Sequence, residues 1–283
     1  MVHAGAGSLG VMTTPSRQRL LRLLTRHDAD LAEAALLCEV ELDDVDVDAS
    51  LLRLDALADG LRSTGFRPST PDADARALVA HLAGSLGLTG DAAAYHDPDN
   101  ALLGRVLDRR RGLPITLSIV YVAVARRLRV PAFPIALPGH VVTGVGSGEG
   151  AVVLDPFHAG RRLDEAALTR RVDEATGGRL AFRRSMLRPS PAPNVVRRLL
   201  NNLTRDLTAA QRPWEALRTV ELKLLLPNRV ADDHRVHGEL LAQIGRFDEA
   251  AAAYERYLEA AGPDAPDRAE IRRTAIRTRA RLN

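Results

Sequence analysis

Two β-prone runs carry His140 and Asp155, and the helical pattern before them opens on Gly112-Leu113-Pro114. Imidazole and carboxylate on adjoining strands are two parts of a nucleophile, base and acid triad. The imidazole takes the nucleophile's proton, and the carboxylate fixes the imidazole's tautomer. A thiol at the start of a core helix would complete the set, because the helix dipole lowers its pKa. The helix begins instead on proline, and the one cysteine, Cys38, lies on a different helical stripe, where it reads as a small buried residue.

Thr116 and Ser118 are the hydroxyls nearest the helix start, with Ser118 the better substitute nucleophile. They are rotated about 200° and about 40° around the helix from position 114, and a hydroxyl needs stronger activation than a thiol. A structural His140–Asp155 hydrogen bond is therefore favoured over a ligand contact, and a ligand contact over catalysis. His96 and Asn100 flank a proline-containing loop that either caps the following helix, as Asp99 equally would, or closes over the cleft. Capping is the simpler reading. Arg111 and Gly139 complete the residues expected around the cleft. His234 and His237 lack a third ligand at suitable spacing, and Gly146-Ser147-Gly148-Glu149-Gly150 is a hairpin turn without the context of a phosphate loop. Neither a metal nor any other cofactor is expected.

Periodicity supplies the elements that must position these residues. Leu20, Leu23 and Leu24, then Leu31, Ala34, Ala35 and Cys38, then Leu51, Leu54, Leu57, Ala58 and Leu61 form three helical stripes. Asp30 and Asp48 stand where N-caps belong, and Gly60, Gly65 and Pro68 punctuate the third helix. Leu113 to Arg129 reads as an amphipathic helix with Leu117, Val120, Tyr121, Val124 and Leu128 on one face, stopped by Pro131. Residues 132–137, 140–145 and 151–154 are β-prone, the last two forming an antiparallel hairpin. A turn centred near Gly148 makes His140 and Asp155 cross-strand neighbours, with Cβ atoms about 4.5 to 5.5 Å apart. Beyond the break Pro189-Ser190-Pro191-Ala192-Pro193 the pattern is helical. There Ala216, Val220 and Leu224 recur as Ala250, Tyr254 and Leu258, an offset of 34 residues, which is the tetratricopeptide period.

A chain of 283 residues with 46% hydrophobic and only 4% aromatic content has room for about two domains, and its Ala and Leu bias favours helix. The net charge of +3 is almost wholly arginine, Lys223 being the only lysine. The basic runs at Arg109 to Arg111, Arg170 to Arg171 and Arg268 to Arg281 are interleaved with acidic or apolar positions, so no nucleic-acid partner is expected. One cysteine excludes an intramolecular disulfide and suits a reducing compartment, the cytoplasm by default. Residues 1–16 read as a disordered tail and not a signal peptide, and no run of about 18 apolar residues points to a membrane.

The order of helix, Gly139-His140 at a strand start and Asp155-Pro156 at the next strand end resembles the transglutaminase-like, papain-related superfamily. Its helix commonly ends on glycine, an aliphatic residue and proline, here Arg129-Val130-Pro131 with arginine for glycine; counting back puts Pro114 at the superfamily's cysteine position. The chain resembles the SirB1-like group with tetratricopeptide tails more closely still, from about residue 30 onward. The residues that carry this are Tyr95-His96-Asp97-Pro98-Asp99-Asn100, Val106 to Ser118, Leu137-Pro138-Gly139-His140, Leu154-Asp155-Pro156-Phe157, Leu199-Leu200-Asn201-Asn202-Leu203 and Gly245 to Pro263. Proline at the nucleophile position is usual in that group, so the resemblance implies a core with vestigial His140 and Asp155. The expected fold is α+β and predominantly helical. It comprises a disordered tail (1–16), an N-terminal helical region (17–95), a transglutaminase-like core (96–190) and a tetratricopeptide-like helical domain (191–283). The expected function is a non-catalytic module whose degenerate cleft and tail hold a protein or peptide. The rival is an acyl-transfer enzyme or amide hydrolase in which His140 and Asp155 serve an unconventional nucleophile such as Ser118. The side chain within about 3.5 Å of His140 separates the two.

Overall fold

The side chain ahead of each N-terminal helix sets where that helix begins. The computed structural model describes residues 14–282. Thr14 caps α1 (Pro15–Leu24), Asp30 caps α2 (Leu31–Glu39), Asp46 caps α3 (Val47–Ser63) and Thr70 caps α4 (Pro71–Val79), each accepting from a first-turn N–H. Two expectations are corrected. Asp46 takes the place given to Asp48, which lies inside the first turn, where its charge still complements the dipole. Of the expected tail, residues 1–13 lie outside the described residues, but Thr14 and Ser16 are held in place: both hydroxyls donate to Glu41, which also pairs with buried Arg17.

After α4 the helix widens into a π-turn over Ala80–Ser85. β1 (Thr89–Gly90), α5 (Leu103–Arg109) and β2 (Arg111–Gly112) follow, with β1 and β2 paired in parallel. α6 (Pro114–Arg127) starts on a proline whose missing N–H would have had no helical acceptor. Every residue from Pro114 to Ala125 is buried. The amphipathic reading of this helix is thereby corrected, since it has no solvent face over that length.

β3 (Ala132–Leu137), β4 (His140–Val145), β5 (Val152–Asp155) and β6 (Arg161–Arg162) form an antiparallel sheet in that order. β3 turns into β4 through Pro138-Gly139, with Gly139 at φ +67°, where glycine is favoured. Val141, Val145 and Leu154 join α6 in the main core; Leu137, Val142 and Val153 join a second core with Leu163 and, from α7 (Glu165–Thr176), Leu168. Both faces are covered, so all of β4 is buried. The β4–β5 hairpin forms as expected but two residues out of register. Thr143 faces Leu154 and Gly144 faces Val153, which by continuation puts Asp155 level with Val142. A shift of two keeps every side chain on its face.

The C-terminal region is α8 (Ala192–Ala209), α9 (Pro213–Leu225), α10 (Ala231–Gln243), α11 (Phe247–Ala260) and α12 (Arg268–Arg279). Ala216 of α9 and Ala250 of α11 are both fully buried. Gly238 of α10 lets Tyr254 approach, since a Cβ there would stand 2.7 Å from the ring. α8 packs on α2 and α6, and its Leu199, Leu200 and Leu203 belong to the main core. Among the described residues no helix is long and apolar enough to cross a membrane.

Two measurements check this packing. Ala250→Arg would force a charge and excess volume into a closed helix contact; the expected loss is on the order of 3 kcal/mol, seen as a lower thermal midpoint. His237, on α10, is pushed down to about 4 by burial and by Arg256, and its buried Nδ1 has no hydrogen-bond partner. The unfolded chain takes up this proton near pH 6.5 and the fold does not, so stability should fall as the pH drops from about 6.5 to 4, by up to roughly 3 kcal/mol. Urea denaturation of His237→Gln should show that slope reduced.

Candidate functional site

Asp155 ends β5 fully buried, and three side chains converge on its carboxylate. His140 Nε2 lies 2.9 Å from Oδ1, while His158 Nδ1 and Arg171 Nη2 each lie 2.8 Å from Oδ2. His140 reaches across diagonally because of the register shift, and α7 supplies Arg171 on the same face of the sheet. His158 arrives through a tight turn. Pro156–His158 form a 3-10 turn, Ala159 and Gly160 take φ of +52° and +73°, and the Gly160 N–H donates to the Asp155 carbonyl at 2.9 Å. A Cβ on Gly160 would stand 2.6 Å from Val79 and 3.0 Å from the Tyr121 hydroxyl, so only glycine fits.

Burial by itself would raise the Asp155 pKa, but hydrogen bonds from His140 and His158 and the charge of Arg171 outweigh it and hold the carboxyl below its ordinary value. His140 is shifted down, chiefly by burial and against the pull of Asp155. At neutral pH an anionic carboxylate thus faces a neutral His140. Burial, aided by the charge of Asp155, pushes the Tyr121 hydroxyl up, and that hydroxyl has no hydrogen-bond partner among the described residues.

The other candidates do not join this cluster. Asp155 is the one hydrogen-bond partner of the His140 ring among the described residues. The Ser118 hydroxyl is committed to the Thr143 hydroxyl at 2.8 Å and the Val142 carbonyl at 3.2 Å. By strand alternation Thr143 faces α6, whereas His140 faces the α7 side. The Thr116 hydroxyl is buried without a partner among the described residues. Cys38 is buried and its thiol is pushed up to about 12, first by burial and then by Glu41 and Glu39.

The capping expected of His96, Asn100 and Asp99 is corrected. Asp97 caps the short 3-10 turn Pro98–Ala101, and α5 begins after Leu102 with no side-chain cap. Asn100 is buried. Its Nδ2 donates to the Ala94 carbonyl at 2.7 Å, and its own carbonyl accepts from Leu113 N–H at 2.9 Å, pinning the loop to the start of α6. His96 reaches Asp206 of α8 at 2.9 Å. Arg111 donates to the Gly87 carbonyl at 2.8 Å, and Gly139 lies in the β3–β4 turn beside Ala175.

Sequence reasoning missed His158 and Arg171. Asp155 and His158 are three apart, a spacing that brings side chains together only if the chain turns there, and Arg170-Arg171 reads as a solvated helix face. Donor atoms of His140, Asp155 and His158 all lie within 4.8 Å of one another, a set of two imidazoles and a carboxylate able to hold a metal ion. Further along the same side of the sheet runs a groove of about 490 Å³ lined by Phe133, Ile135, Val153, Leu168, Phe182 and Arg188 among others. None of the candidate residues lines it.

A core helix followed by an antiparallel hairpin bearing a histidine and an aspartate defines a transglutaminase-like protein, and the family model described as Transglutaminase-like superfamily matches residues 48–201. A UPF0162 protein of Xylella fastidiosa (strain 9a5c) is 30% identical over 232 residues, 81% of this chain and 83% of the relative. SirB1 of Salmonella typhimurium is 27% identical over 168 residues, 59% of this chain and 62% of the relative. The chain belongs to the UPF0162/SirB1 family of the transglutaminase-like superfamily. A solved structure of menin, titled for its binding site for Mixed Lineage Leukemia protein, aligns with a TM-score of 0.39 at 12% identity over 86% of this chain and 68% of that one, too slight a likeness to carry an argument.

If Asp155 holds this region together, removing its carboxylate strands two imidazoles and a guanidinium. Asp155→Ala should cost about 3 to 5 kcal/mol in urea denaturation. Arg171→Met, which leaves both histidine bonds in place, should cost less.

Proposed function

We propose that this protein is a non-catalytic interaction module whose core keeps the histidine–aspartate pair of a transglutaminase-like fold without a nucleophile. The observation that carries the reading is the partnership of His140. Its hydrogen bond goes to Asp155, Pro114 stands where the superfamily's cysteine would be, and the Ser118 hydroxyl is bound to Thr143. The pair works as a structural brace between β4, β5 and α7.

Two features support a peptide or protein as the bound partner. The groove of about 490 Å³ is lined mainly by apolar side chains, with Arg188 among its polar residues, suited to an apolar side chain of a peptide. The C-terminal helices expose Trp214 and Ile276, at 57% and 65%, and an exposed tryptophan is a common anchor of binding energy. A single buried thiol suits the reducing cytoplasm.

The test is affinity enrichment from the source cells with the full chain and with a Trp214→Ala/Ile276→Ser variant. A specific partner should be recovered at least tenfold less with the variant, while the melting temperature stays within a few degrees. Equal recovery would remove the tail from the interface. Turnover of an amide or ester substrate that Ser118→Ala abolishes in a folded protein would overturn the non-catalytic reading.

A further inference from the structure

We propose that His140, Asp155 and His158 bind a divalent first-row transition ion, with Zn²⁺ as the test case. Two imidazoles and one carboxylate are borderline donors that suit zinc or ferrous iron, whereas calcium and magnesium prefer sites built from oxygen alone. His158 Nδ1 and His140 Nε2 stand 2.8 and 2.9 Å from the two oxygens of Asp155. Two donors about 2.1 Å from one tetrahedral ion stand roughly 3.4 Å apart, and the donor atoms of the three side chains lie within 4.8 Å of one another, so small side-chain shifts bring them round one ion.

Proton bookkeeping permits the exchange. The imidazole nitrogens that face Asp155 can act as ligands once their protons move to the opposite ring nitrogens. His140 Nδ1 forms no hydrogen bond among the described residues, and the His158 side chain is 49% exposed, so each ring can take its proton on the opposite nitrogen at the cost of its bond to Asp155 alone. Two N–H···O bonds are replaced by coordinate bonds, and neither ring has to become charged. Arg171 remains on Asp155 as an outer partner that fixes the carboxylate's orientation.

The turn that delivers His158 is the second, independent observation. A histidine–aspartate brace is complete without His158. Yet the chain holds Ala159, a residue with a Cβ, in the left-handed region at φ +52°, and it closes Gly160 against Val79 and Tyr121 to fold His158 back onto Asp155. His158 also gives the cluster its solvent opening, through which an ion can enter and at which its remaining coordination positions would face outward.

The inference does not rest on the interaction function, since zinc binding and partner recovery are separate readouts. The experiment uses the full chain with any affinity tag removed, titrated with Zn²⁺ against a chromophoric chelator and with Co²⁺ by visible absorption. One ion per chain is expected, with Co²⁺ ligand-field bands and a zinc-induced rise in melting temperature. His158→Ala should lower affinity at least tenfold and abolish that rise, while its metal-free melting temperature stays close to the parent's. His234→Gln/His237→Gln should bind as the parent does. Absence of binding, binding that His158→Ala leaves unchanged, or binding lost in the His234/His237 variant would overturn the proposal. If His158→Ala fails to fold, the parent decides by NMR: zinc must shift the imidazole resonances of both His140 and His158, and a failure to shift them also overturns it.

Discussion

Burial of α6 on every side is the constraint on which the rest of this structure depends. A helix with residues 114–125 all buried cannot be stabilised by one partner, because each apolar face left wet would forfeit about 25 cal/mol per Å². The sheet covers one side through β3 and β4, α2, α3 and α5 cover others, and α8 closes against it from the C-terminal region. Helices from before and after the hairpin in the chain therefore complete one core around α6. Of the polar side chains enclosed on α6, Ser118 is tied to Thr143, while the Thr116 and Tyr121 hydroxyls have no hydrogen-bond partner among the described residues.

With α6 holding one face of the sheet, the other face is free to build around Asp155. That carboxylate joins β4 through His140, the following turn through His158 and α7 through Arg171. A buried charge with three partners is expensive to disturb.

The C-terminal helices are fastened by polar contacts as well as by their apolar core. Arg198 donates to the Leu137 carbonyl at the end of β3, and His96 meets Asp206 of α8. Within the helices, buried Asp233 draws in Arg197 at 2.9 Å and Lys223, the chain's one lysine, at 3.5 Å. Burial lowers the Lys223 pKa while Asp233 opposes the shift, so the amine stays tied to its carboxylate. α8 serves both the repeat-like array and the packing on α6.

Local pattern determined a good deal by itself. Leucine spacing marks α1 to α3, β-branched runs mark β3 to β5, Asp30 caps α2, Gly139 makes the turn between β3 and β4, and Ala216 and Ala250, 34 residues apart, are both buried. His140 and Asp155 could be brought together because strand alternation survives a register error of two. Tertiary structure alone decided that α6 has no wet face, that Ser118 bonds Thr143 and not His140, that His96 serves α8 and not a helix start, and that His158 and Arg171 close on Asp155. The physical reason is range: periodicity and capping act within a few residues, whereas a polar side chain's partner depends on how whole elements pack, and nothing local in the sequence records that.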